Sequence, residues 1–124
     1  MTTVLLPIKP KYVSLIMSGE KRYEFRKVKP KREGINKMII YATSPIMKVV
    51  GEVEVLDILY DEKELVFSKT KDNPELDKDA FFRYFKNSKD ACAYKIGNVT
   101  KYDHYKDLKD LNINYVPQSF IYLD

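Results

Sequence analysis

A single cysteine, Cys92, rules out a disulfide framework, and a single histidine, His104, leaves no His/Cys set for a metal. Cys92 sits in an apolar alternation and reads as a small core residue. His104 lies among Tyr102, Asp103 and Tyr105, and with no nucleophile to serve it argues little for catalysis. Glycine is scarce, at four residues. None of the four builds a phosphate-binding loop, a dinucleotide fingerprint or a nucleophile elbow, and no cofactor is implied. No apolar run is long enough for a membrane span. The run within residues 1–6 is too short for a signal peptide. These absences predict a soluble, cytoplasmic protein with neither a metal nor a membrane partner. No repeat, low-complexity tract or Gly/Ser linker divides the 124 residues, so 1–124 read as one domain.

What is present is an adequate core and an uneven charge. Apolar residues make up 44% of the chain, enough for a packed interior, and 32% are charged. The net charge of +4 conceals a basic segment. Residues 9–37 hold ten Lys/Arg against three acids, a balance of +7, while the remaining twelve bases and fifteen acids sum to −3. A locally basic surface on a near-neutral body suits a phosphate-bearing partner such as RNA or a nucleotide. A solvated lysine-rich face is the plainer alternative, and the basic loop 27–37 would also serve a protein contact.

The pattern of elements is mixed. Residues 4–8 read as a first strand. Pro10 suits the opening of a helix, Tyr12, Leu15 and Ile16 give it an apolar face, and Gly19 ends it. Residues 22–28 alternate, with Tyr23 and Phe25 on one side and Arg22, Glu24 and Arg26 on the other, as in a half-buried strand. Strands are expected at 38–42, at 48–59 with a bulge at Gly51, at 92–96 ending at Gly97, at 99–102 and at 119–123. Helices are expected at 62–68, at 78–85 capped by Asp77 with Phe81, Phe82 and Phe85 inward, and weakly at 106–111. Residues 69–74 read as a polar turn. Uneven strands with an early helix and helices inserted midway indicate an α+β fold, a small barrel, with no parallel βαβ order apparent.

The chemistry concentrates at one corner. Lys21 follows Gly19, where the helix turns into the strand that carries Glu24 and Arg26. Residues two apart on a strand share a face, and Lys21, at the corner, is free to swing over it. Arg26 can fork onto a carboxylate or phosphate. Lys21 beside a second cation would give up its proton more readily, and Glu24 would orient either. The same spacing also fits an exposed ladder of ion pairs. Lys9, between the first strand and the helix, is a candidate for the same mouth, as are Tyr41 and Ser44 at a strand end and Ser119 near the last strand. Glu52 and Glu54 offer two carboxylates on one strand face, an arrangement that more often simply faces solvent.

The series Gly19-x-Lys21-x-x-Glu24-x-Arg26 resembles the signature of the ASCH domain, a branch of the PUA-like superfamily. Residues 8–12, 40–45, 50–53, 81–85, 93–97 and 117–120 resemble the family's other segments in order. The resemblance implies a PUA-like β-barrel with flanking and inserted helices, and a cleft into which the signature residues point. It implies RNA or a modified base as ligand. One branch hydrolyses the amide of N4-acetylcytidine with a lysine, a threonine nucleophile and a glutamate. Lys21 falls at the lysine position and Glu24 at the threonine position, where a carboxylate replaces the nucleophilic hydroxyl. Two functions are therefore expected. One is an RNA- or nucleotide-binding module using Lys9, Lys21, Glu24, Arg26, Tyr41, Ser44 and Ser119. The other is a small amidohydrolase for an acylated pyrimidine nucleoside, with Lys21 and Glu24 catalytic.

Overall fold

The computed structural model describes residues 1–123. In chain order it runs β1 (Thr2–Ile8), α1 (Pro10–Ser18), β2 (Tyr23–Arg26), β3 (Ile35–Ala42), β4 (Lys48–Glu62), α2 (Lys63–Lys69), α3 (Lys78–Tyr84), β5 (Asp90–Lys106), a 3-10 turn at Leu108–Leu111 and β6 (Ile121–Leu123). The six strands form one sheet in the order β2-β5-β4-β3-β1-β6. The fold is α+β as expected, but among the described residues the sheet does not close into the expected barrel. Strands β2 and β6 are its edges.

The backbone between β1 and β2 is shaped by two residues. Pro10 opens α1, and Gly19 closes it at φ 84°, a left-handed value that glycine alone takes without strain. The Gly19 amide donates to Ile16 and the Lys21 amide to Leu15, at 3.1 and 3.0 Å. The apolar face of α1 is turned by one residue from the expected one. Val13 and Ile16 are the buried pair, while Tyr12 and Met17 pack only partly against the core.

Three expectations about the strands are corrected. β1 pairs in parallel with β3, an order that was not apparent because β2, which lies between them in sequence, departs to the far edge of the sheet. Gly97 does not end a strand. β5 runs through it from Asp90 to Lys106, with register shifts against β4 at Val53/Val55 and Val55/Asp57. β2 is not half-buried, because Tyr23 and Glu24, on opposite faces, are both buried. The face of Tyr23 and Phe25 meets Phe81, Phe85 and Val66 of the inserted helices, and on the other face Glu24 is enclosed beside Lys21 and Arg26.

Other readings hold. Gly51 sits at a break in the β4–β5 register. The Asp77 carboxylate accepts from the amides of Asp79 and Ala80, which fixes the start of α3. Phe81 and Phe85 are buried beneath it, and Cys92 is fully buried.

Candidate functional site

The open seam of the sheet holds a hollow of about 310 Å³. Pro7, Ile8 and Lys9 at the end of β1 form one wall, with Tyr12 of α1. The edge strand β2, with Glu24, Phe25 and Arg26, forms the opposite one, joined by Lys21. The segment from Glu75 to Phe85 covers it with Leu76, Ala80, Phe81 and Tyr84.

Glu24 organises the polar part. Only 7% of the residue is exposed. Its Oε2 accepts from Arg26 Nε at 3.0 Å, and its Oε1 lies 3.8 Å from Lys21 Nζ. The carboxylate thus stands between the two cations. Lys21 and Arg26 do not adjoin as the corner geometry suggested. Arg26 also donates from Nη2 to the carbonyl of Pro7 at 2.6 Å. This bond crosses the seam from β2 to β1, where no strand ladder does. Lys21 is 6% exposed. Its Nζ is 5.5 Å from the Tyr12 centroid and 5.1 Å from that of Phe25, within cation–π range.

A second carboxylate completes the set. Glu75 Oε1 lies 3.3 Å from Lys21 Nζ and accepts from Asn73 Nδ2 at 3.2 Å. Asn73 is itself buried, and its Oδ1 accepts from the Arg22 amide at 2.7 Å. The 69–74 turn, read as merely polar, is therefore an anchored support that carries Glu75 to the lysine. Glu75 is the residue sequence reasoning missed. It lies 54 positions from Lys21, and no local spacing links them. Protein surrounding the Tyr84 phenol at the rim raises its pKa, with Arg26 opposing and Glu24 adding to the rise.

Of the sequence-derived candidates, Lys9, Lys21, Glu24 and Arg26 line the hollow. Tyr41, Ser44 and Ser119 do not. Tyr41 is buried with Leu5, Val49 and Ile113 in a separate cluster, because both faces of β3 are covered and alternation could not tell them apart. Ser44 is exposed at a turn with a cis Ser44–Pro45 bond, and Ser119 is exposed before β6. Glu52 is engaged elsewhere, by Tyr102 Oη at 2.9 Å and Lys37 Nζ at 3.2 Å. Glu54 accepts from the Asn98 amide. His104 is exposed. No group of three or more His, Cys, Asp or Glu side chains among the described residues is arranged to hold a metal.

Residues 6–120 match the ASCH domain family. The chain belongs to this family. The crystal structure of ASCH from Zymomonas mobilis superposes with a TM-score of 0.86 at 24% identity, covering 98% of this chain and 87% of that one. The N-terminal domain of Staphylothermus marinus McrB shares the fold more distantly, with a TM-score of 0.52 at 13% identity over 89% of this chain and 78% of that one. Two Ureaplasma parvum proteins are related in sequence. ATP synthase subunit alpha is 31% identical over 98% of this ASCH chain, and large ribosomal subunit protein uL22 is 26% identical over the same share. The chain spans only 15% of the first and 39% of the second. No helix among the described residues is long and apolar enough to cross a membrane.

Proposed function

We propose that this ASCH domain binds RNA, or a nucleotide, by taking one base into the hollow between β1 and β2. The observation that carries the reading is the balance inside the hollow. Its lining holds three cations (Lys9, Lys21, Arg26), three acids (Glu24, Glu75, Asp77) and five aromatic rings (Tyr12, Phe25, Phe81, Tyr84, Phe85). A site for a bare phosphate would carry a surplus of cations. A neutral, aromatic-walled hollow with fixed donors and acceptors suits a flat, polar heterocycle, which stacks on rings and pairs along its edge. Lys21 offers donors, and the Glu75 and Glu24 oxygens accept from an exocyclic amine. The basic residues outside the hollow supply the phosphate contacts.

Titration with single-stranded and structured RNAs at two salt concentrations tests this. Affinity is expected to fall as salt rises, with a logarithmic slope of about −0.7 per phosphate contacted on a single strand. Failure of every RNA and nucleotide to bind at low salt overturns the reading.

A second reading follows from the contact between Lys21 and Glu75. In an amidohydrolase for an acylated pyrimidine nucleoside such as N4-acetylcytidine, a carboxylate takes a proton from water as the water oxygen bonds to the acyl carbon. The lysine ammonium then protonates N4 as the C–N bond breaks, releasing acetate and cytidine. Glu24 occupies the place of a hydroxyl nucleophile, so water is the attacking group in this scheme. Incubation with N4-acetylcytidine followed by chromatography is expected to show cytidine, and Lys21→Ala to abolish it. Intact substrate after long incubation with the wild type sinks this second reading and leaves the binding one standing.

A further inference from the structure

Outside the hollow the cations are held differently. Lys27 and Lys29, in the loop that follows β2, are both exposed. Lys27 Nζ sits 4.9 Å from the ring centroid of Tyr84, a residue that also lines the hollow. Lys29 Nζ sits 5.4 Å from the ring centroid of Tyr60 on β4. Neither lysine makes an ion pair with an acid among the described residues, in contrast to Lys21 and Arg26. A ring attracts an ammonium without cancelling its charge and leaves N–H donors available. These two lysines are therefore localised yet still positive.

The two rings are linked through the loop that carries both lysines. Tyr84 stands at the rim, 44% exposed, and Tyr60 is 43% exposed. Tyr60 pairs with Cys92 of β5, which pairs with Arg26 of β2. It therefore lies two strands in from the edge that forms the hollow, about 10 Å away at the usual strand spacing. Buried Pro30 ties the loop down beyond Lys29. The strip from hollow to Tyr60 is thus ring, lysine, lysine, ring.

We propose that this strip is a second subsite, which holds the nucleotide next to the one in the hollow. The ligand would then be a single-stranded RNA segment and not a free nucleoside. This rests on the reading of the hollow as a base site. Phosphates of the segment lie against Lys27 and Lys29, and the neighbouring base stacks on an exposed tyrosine, the combination that single-strand-binding surfaces use. A double helix fits poorly, because the hollow takes a base out of its stack while the strip requires an extended backbone beside it.

The test compares cytidine 5′-monophosphate with a short single-stranded RNA of mixed sequence, on the wild type and on Lys29→Glu and Tyr60→Ala. Neither substituted residue lines the hollow. The oligonucleotide is expected to bind at least about tenfold more tightly than the mononucleotide. Tyr60→Ala should weaken the oligonucleotide by about fivefold or more, the lower end of what one stacked base contributes. Lys29→Glu should weaken it similarly and reduce its salt slope, with the mononucleotide unaffected by either change. An oligonucleotide that binds no better than the mononucleotide, or equally well to both variants, overturns the strip and leaves the hollow reading intact. Absence of binding by both ligands to the wild type overturns both.

Discussion

Glu24→Ala is expected to cost about 3 kcal/mol of folding stability, the low end of the range for breaking a buried ion pair by removing one partner. The low end applies because Arg26 keeps 22% of its side chain in solvent. The loss arises from what remains. Lys21 and Arg26 would face each other across an empty volume, with only Glu75 left to offset Lys21. Chemical denaturation of wild type and variant, fitted with a common slope, measures the difference. Ligand binding should fall further than stability, since both cations lose the group that aims them. Glu24→Gln retains the shape and one acceptor for Arg26, so it should unfold later than the alanine variant while still binding poorly. If Glu24→Ala is as stable as wild type, the three groups do not form the coupled cluster described above.

Gly51→Ala should destabilise the fold by about 1–3 kcal/mol, the usual range for overpacking a well-filled interior. A Cβ at this position would lie 2.5 Å from the carbonyl oxygen of Thr100 and 2.9 Å from Cε of Met17. The methionine end can swing away, but the carbonyl belongs to the neighbouring strand and cannot. Gly97→Ala is the control. Its Cβ would meet the side chains of Glu54 and Leu56, both of which can move, so a smaller loss is expected. Thermal or denaturant unfolding of the two variants side by side checks the order. A Gly97 variant less stable than the Gly51 one would contradict the account, since it would make yielding side chains a harder obstacle than backbone.

The contrast between those glycines marks what could be read in the sequence. Local chemistry was legible. Gly19 stops a helix, Asp77 caps one, Gly51 interrupts a β pattern, and Phe81 and Phe85 recur at helical spacing. Each signal acts within a few residues of itself, so the chain states it directly. The Lys21, Glu24 and Arg26 corner was legible for the same reason, and Lys9 through its place between strand and helix. What depends on distant segments was not. Glu75 reaches Lys21 only because α2 and the Asn73 turn fold over the edge of the sheet. Tyr41 has an ordinary strand environment in the sequence, yet the 3-10 turn and Ile113 cover its face. Gly97 resembles a terminator because glycine weakens strands. The long partner β4 supplies enough pairing to carry β5 past it.

The guanidinium that spans the seam also sets how the domain can breathe. Everywhere else along the sheet, parting two strands costs a run of backbone bonds. Between β1 and β2 the tie at Pro7 is a single flexible side chain. A guest that offered Arg26 a better acceptor than that carbonyl could widen the gap while every rung of the sheet stayed in place. Accommodation of differently sized guests would then draw on the rotamers of one arginine, and the stability of the scaffold would be largely insulated from what it holds.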